Sequence, residues 1–321
     1  MKSGIIMAIS RNAVAIVGAG SVGSAVGYAI INQGICDDVF LVDKNQDKAK
    51  AEAIDLENCI EFLNRNMRVT VKEFKDLRDV DIIVMTAAAP YKEGQTRLDM
   101  IDGSLSIINS IVPKIMESGF CGQFIIITNP VDVISYYIYN ISGLPKNKII
   151  GTGTALDSAR LKNIISETVD VDPRSIHAFT MGEHGDSQMI PWSSVRIGGK
   201  LWKDIMHDNP ELFTDKDFHS KVLADVIDMG WKIMRSKGST NYGIASTTVG
   251  IIKAIMHDEN KIIPVSTLLC GEYGHRNVFA GVPAIINKTG VKEIVEIKMT
   301  NNEKAEFDKS VQVIMEYSKN M

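Results

Sequence analysis

The apolar run Val14-Ala15-Ile16-Val17 passes straight into Gly18-Ala19-Gly20-Ser21-Val22-Gly23, and this junction constrains the chain more than any other stretch. Four small or β-branched apolar residues in a row suit a strand covered on both faces. The glycines then permit a tight turn at Gly18, close approach of a phosphate-bearing ligand at Gly20, and close helix packing at Gly23. From Ser21 onward Val22, Val26, Ala29 and Ile30 recur at helical spacing, and Gly34 stands where a C-cap belongs. A second apolar run, Val39-Phe40-Leu41-Val42, ends in Asp43, twenty residues after Gly23. A carboxylate there can accept hydrogen bonds from an adenosine ribose. Strand, glycines, helix, strand and acid in this order predict a dinucleotide site, with the pyrophosphate at the helix N-terminus.

The pattern continues. Residues 47–64 read as a helix, 69–71 as a short strand, and Ile82-Ile83-Val84-Met85 as a buried strand ending in Thr86-Ala87-Ala88-Ala89-Pro90. A polar loop, 91–97, leads into a long helix reaching Met116. Phe124-Ile125-Ile126-Ile127 is the next strand, followed by a helix over 133–139 and a strand over 148–151. Apolar strands alternating with helices predict an α/β fold: a doubly wound parallel sheet whose ligands bind at the carboxyl ends of the strands. Asp43, Ala88, Thr128 and Thr152 sit at such ends.

Beyond residue 154 the texture changes to a mixed α/β half with antiparallel strands. Residues 195–202 read as a hairpin around Gly198-Gly199. Residues 262–269, 278–286 and 291–297 read as antiparallel strands, with helices over 155–168, 217–236, 242–257 and 301–319. The expected division is 1–154 for a dinucleotide-binding Rossmann half and 155–321 for a substrate half.

A net charge of −4 over 321 residues offers no global attraction to nucleic acid or anionic membrane. The four cysteines are scattered without a Cys-x-x-Cys, which argues for reduced thiols and against a metal site or a disulfide frame. With no apolar run of membrane-spanning length, a cytoplasmic protein is expected.

The chemistry-bearing residues cluster late. His184 lies between glycines in Gly182-Glu183-His184-Gly185-Asp186, where little side-chain packing would hinder a ligand. Asp157 and Arg160 are three apart on a predicted helix and so share a face. A carboxylate beside an imidazole fixes its tautomer and favours its charged form. Arg97 lies in a polar, glycine-containing loop of the composition of a mobile lid.

These segments resemble the L-lactate/malate dehydrogenase family over nearly the whole chain. The resemblance rests on Gly18–Gly23, Gly94-Gln95-Thr96-Arg97-Leu98, Thr128-Asn129-Pro130-Val131-Asp132, Leu156-Asp157-Ser158-Ala159-Arg160 and Gly182–Asp186. It implies an NAD-dependent 2-hydroxy acid dehydrogenase assembled as a homo-oligomer, a tetramer before a dimer. By the same resemblance His184 gives its proton to the carbonyl oxygen of a 2-oxo acid while the nicotinamide delivers hydride. Asp157 orients His184, Arg160 binds the substrate carboxylate with its planar fork, and Arg97 closes over the site to stabilise charge on the oxygen. Asn129 is expected to touch substrate and nicotinamide, and Gly18, Gly20, Val22, Gly23, Asp43, Lys48, Ala88, Ala89, Ser110, Thr128 and Thr152 to line the cofactor.

The substrate is harder to read. Six residues before the loop arginine, lactate enzymes carry Gln and malate enzymes Arg; here it is Tyr91, a phenol without charge. Burying a second carboxylate without a cation costs several kcal/mol, and Thr240 matches the residue that closes the small pocket of lactate enzymes. Pyruvate is therefore expected first, a larger apolar 2-oxo acid such as 2-oxoisocaproate second, and oxaloacetate third. Lys162 and His177 match positions that hold fructose 1,6-bisphosphate in bacterial relatives, the alternative being two ordinary surface residues. Three other classes fit less well. A NAD-using glycosidase needs a metal-binding Cys–His pair, a Rossmann methyltransferase does not need the Asp157, Arg160 and His184 set, and an inactive NAD-binding protein would have lost a member of it.

Overall fold

The computed structural model describes residues 11–89 and 97–319. The first half alternates strands β1 (Ala13–Val17), β2 (Asp38–Val42) and β3 (Arg68–Val71) with helices α1 (Ser21–Gln33) and α2 (Gln46–Asn58). It continues through β4 (Ile82–Met85), α3 (Arg97–Glu117), β5 (Gln123–Ile126), α4 (Val131–Ser142) and β6 (Ile149–Gly151). The second half opens with α5 (Ala155–Val169), a small antiparallel sheet of β7 (Ile176–His177), β8 (Arg196–Ile197) and β9 (Lys200–Leu201), and α6 (Trp202–Asp208). Helices α7 (Phe218–Lys237) and α8 (Tyr242–Met256), strands β10 (Lys261–Cys270), β11 (Arg276–Asn287) and β12 (Gly290–Ile294), and helix α9 (Asn301–Ser318) complete the described fold.

The first six strands pair in parallel in the order β3-β2-β1-β4-β5-β6. Their direction of progression reverses between β1 and β4, which opens a crevice at their carboxyl ends. β1 shows why the strands are apolar throughout. Val14 and Ile16 enter a core shared with Val26 and Ile30 of α1 and Leu56 of α2, whereas Ala15 and Val17 enter another with Ile108 and Val112 of α3 and Ile134 of α4. Side chains alternate across a strand, so a sheet with helices on both faces leaves no polar side.

The three late strands do not form a sheet of their own. β10 pairs antiparallel with β6 through Ser266 and Gly151, and β11 and β12 follow, so one nine-stranded sheet crosses the expected boundary at residue 154. β-Carbons at Gly151 would sit 2.7 Å from that of Ser266, a close approach that glycine alone permits. The predicted hairpin over 195–202 is present, with Gly198 and Gly199 both at positive φ (58° and 85°), as a two-residue primed turn demands. Among the described residues no helix is long and apolar enough to cross a membrane.

Candidate active site

The crevice is built around the first glycines. Gly18 has φ 108°, and a β-carbon there would lie 2.6 Å from Thr86 Oγ1 and 2.9 Å from the Ala87 nitrogen, so only glycine lets the β1–α1 turn pass the end of β4. A β-carbon on Gly23 would run into the Gly18 carbonyl oxygen. Gly20 faces open space, and as the N-cap of α1 it offers no side chain to the first helical N–H groups. Those donors and the helix dipole therefore point into the crevice. Asp43 follows directly on β2. Its Oδ2 accepts the Ala19 N–H at 2.7 Å and its Oδ1 the Asn45 N–H at 2.9 Å. It thus holds the glycine loop as well as facing the expected ribose position, a dual use not legible from spacing. Thr128 closes the far wall, its hydroxyl donating to the Ala87 carbonyl at 2.9 Å, and Ala88 is exposed beside it. A bare floor, an uncapped helix start and a carboxylate at the strand end suit a dinucleotide.

Opposite, the first turn of α5 carries Asp157 and, three residues on, Arg160. Asp157 Oδ1 accepts from Arg160 Nη1 at 2.8 Å and its Oδ2 lies 2.6 Å from His184 Nδ1. A carboxylate can only accept, so Nδ1 is the donor and Nε2 is left for a ligand. His184 rides a loop pinned by the bridges Met181–Met189 and Gly182–Gly281. Gly182, at φ 92°, passes so close to Ser310 of α9 that any side chain would collide with the serine hydroxyl. The His184 side chain is 28% exposed, against 2% for Asp157 and 10% for Arg160, so an open imidazole stands before two buried partners.

The electrostatics follow from this. Burial by itself lowers the His184 pKa, but the adjacent Asp157 charge and hydrogen bond outweigh it, and the imidazolium is favoured. Burial likewise pushes Asp157 up, and His184 and Arg160 overcome it, holding the carboxyl below its ordinary value. The set offers a poised proton donor next to a cationic fork.

The chain matches the family model for the lactate/malate dehydrogenase NAD binding domain over residues 12–151 and that for the lactate/malate dehydrogenase alpha/beta C-terminal domain over 154–320. It belongs to the lactate/malate dehydrogenase family. Among curated relatives, L-lactate dehydrogenase 3 of Bacillus anthracis is 45% identical over 306 residues, covering 95% of this chain and 96% of the relative. L-lactate dehydrogenase of Macrococcus caseolyticus is 42% identical over 303 residues, covering 94% and 95%. The crystal structure of minor L-lactate dehydrogenase from Enterococcus mundtii in the ligands-bound form superposes with a TM-score of 0.93 at 37% identity, covering 98% of this chain and 99% of that one. The ligands-unbound form of that protein gives 0.88. Like other members of this family, the chain is an NAD-dependent oxidoreductase.

The remaining predicted residues are spread over several elements. Asn129 is exposed at the crevice, its carbonyl accepting from Ser104 of α3 at 2.9 Å. Thr152 is buried past the end of β6, Val22 is half-buried on α1, and Thr240 is half-buried between α7 and α8. Lys48 is exposed and gives its main-chain N–H to the Asn45 cap at 3.0 Å. Ser110 is exposed on α3 and turns its hydroxyl to the Ile107 carbonyl at 2.7 Å. Arg97 is the first residue of α3, and Tyr91 lies outside the described residues. Lys162 is half-buried on α5 with its ammonium 5.8 Å above the Phe179 ring, and burial and then nearby Lys261 lower its pKa. His177 is exposed on β7, and among the described residues no hydrogen bond or ion pair joins it to Lys162.

Two contacts were missed. Gly230 of α7 backs Arg160, for a β-carbon there would stand 3.3 Å from Arg160 Nη1. Asp132, in the Thr128–Asp132 motif, accepts the His184 main-chain N–H at 2.9 Å. Neither has a local signal, since both depend on segments far away in sequence.

Proposed function

We propose that this dehydrogenase reduces pyruvate to L-lactate with NADH in the cytoplasm, with residues 1–154 holding the cofactor and 155–321 the substrate. The observation that carries this reading is the buried Asp157 gripping His184 Nδ1 and Arg160 at once, on the wall facing an open dinucleotide crevice. Arg160 takes the substrate carboxylate, which fixes the 2-oxo group in front of His184 Nε2. The imidazolium donates its proton to the carbonyl oxygen, and Asp157 keeps the ring in the one tautomer that can do so. Bound in the crevice, NADH supplies the hydride. Arg97, from the start of α3, closes over the oxygen as charge builds there.

The L-lactate dehydrogenase relatives support pyruvate over 2-oxoisocaproate and oxaloacetate. The test is kcat/KM for these three 2-oxo acids with NADH. Oxaloacetate winning by tenfold, about 1.4 kcal/mol of transition-state binding, would overturn the choice. A homo-oligomer, with tetramer preferred, is supported by exposed apolar residues on α1 and the two helices packed against it: Tyr28 of α1, Ile54 of α2 and Tyr242 of α8. Sedimentation giving a monomer would refute it. Fructose 1,6-bisphosphate is the proposed activator at Lys162 and His177, and unchanged activity at low pyruvate with millimolar bisphosphate would dispose of it.

A further inference from the structure

His184 is held from two directions. Its ring meets Asp157 of the substrate half, and its main-chain N–H meets Asp132, carried by the first turn of α4 in the cofactor half. Asp132 is 2% exposed and both of its oxygens are engaged. Oδ2 accepts from His184 N–H at 2.9 Å, and Oδ1 accepts from the Ser266 hydroxyl of β10 at 2.5 Å. Ser266 is itself the residue through which β10 pairs with β6, so the carboxylate stands at the seam between the halves.

Two neutral donors do not need an anion. The two hydrogen bonds alone therefore do not account for a charge buried here at its usual desolvation cost. The groups around Asp132 show where its charge acts. Glu183, beside it on the histidine loop, repels it, and His184 attracts it, while Asp157 and Arg160 of α5 lie beyond the imidazole.

We propose that Asp132 is a positioning residue for the proton donor, anchoring the His184 loop to β10 through Ser266 and supplying a second negative charge that favours the imidazolium. Each oxygen accepts a hydrogen bond, as a carboxylate's do; burial pushes the Asp132 carboxyl up to about 6, with the Ser266 and His184 hydrogen bonds pulling it back. On His184, burial acts downward, Asp157 upward most strongly, and Asp132 adds to Asp157.

The inference rests on His184 being the proton donor, and one experiment separates the two. The pH dependence of kcat/KM for pyruvate reduction is measured for the wild type, Asp132→Asn and Ser266→Ala, with thermal unfolding and NADH binding as checks of folding. The productive enzyme carries the imidazolium, so wild-type kcat/KM falls as pH rises through the His184 pKa. In Asp132→Asn that limb moves to lower pH by about half a unit or more, as loss of a neighbouring anion requires. At neutral pH kcat drops more than KM rises, because Arg160 is untouched. Ser266→Ala removes a bond that favours ionised Asp132, so the limb shifts the same way by less. If Asp132→Asn fails to fold, Ser266→Ala decides by the same criterion. Activity lowered evenly at every pH, with the limb unmoved, would make Asp132 merely structural and overturn the proposal. A wild type with no such limb would instead remove His184 as the donor, and this inference with it.

Discussion

Asp157 uses each oxygen for a different partner, which makes it the point of the proposed mechanism most sensitive to a single-atom change. In Asp157→Asn the amide cannot hold Nδ1–H and Arg160 together, and the imidazolium loses its counter-charge. Turnover is expected to fall roughly 10²–10⁴-fold, the range for acid–base catalysis, with circular dichroism unchanged. Near-normal turnover would end the assignment. The wild-type histidine pKa is raised, so the protonated enzyme persists above the ordinary imidazole value and pyruvate reduction fails only at higher pH. Asp43 supports a second expectation. Fixed by the Ala19 and Asn45 N–H groups, its carboxylate cannot swing away from an incoming 2′-phosphate. NADH should be preferred over NADPH by at least tenfold in kcat/KM, about 1.4 kcal/mol; equal efficiencies would contradict it.

Helix α7 is held at two points along its length. Near its N-terminus His219 stacks on Trp192 with centroids 4.2 Å apart and accepts a hydrogen bond from Trp202 Nε1 of α6 at 2.9 Å. Further along, Gly230 lies against Arg160. An acceptor nitrogen must be unprotonated, and burial lowers the His219 pKa. A depressed histidine pKa contributes stability that is complete above the unfolded value and drains away as pH falls below it. Tryptophan fluorescence and melting temperature are therefore expected to decline on acidification below the ordinary imidazole range, and His219→Phe to flatten that dependence. A slope unchanged by the substitution would exclude His219 as its source. The sheet edge behaves in the same manner with the opposite residue type. Asp38 of β2 is buried, yet Arg68 of β3 at 2.7 Å and Arg11 at 2.8 Å outweigh that burial and bring its carboxyl down to about 2. This bridge is lost as pH falls from the unfolded carboxylate value toward 2. With both arginines largely exposed, Asp38→Asn is expected to cost about 1–2 kcal/mol at neutral pH, read by urea unfolding. The variant should show less acid sensitivity than the wild type.

Although two family models divide the chain, its cores do not. One hydrophobic cluster joins Val14, Ile16 and Val26 to Ala245, Val249, Val265 and Ala284, and the nine-stranded sheet runs through Gly151 and Ser266. Unfolding either half would strip the other of buried apolar surface, so a single cooperative transition is expected. All three tryptophans (192, 202 and 231) report on the second half. Their fluorescence midpoint in urea should coincide with that of far-ultraviolet circular dichroism, and two separated midpoints would show that the halves unfold independently. The Rossmann half was legible because its signals are local: buried strands are apolar throughout, and the glycines answer steric demands within a few residues. In the second half, Asp157 and Arg160 share a helix face by spacing alone. His184 was marked by the glycines beside it. The grip of Asp132 on a loop 52 residues away, its bond to Ser266 across 134 residues, and the seat of Arg160 on Gly230 were not legible. Nor was the joining of β10 to β6, since an apolar strand has the same pattern whether it extends one sheet or begins another. Period and residue type determine which elements form and which faces they bury; which buried faces meet, and which donor a buried carboxylate finds, is decided only when distant segments pack together.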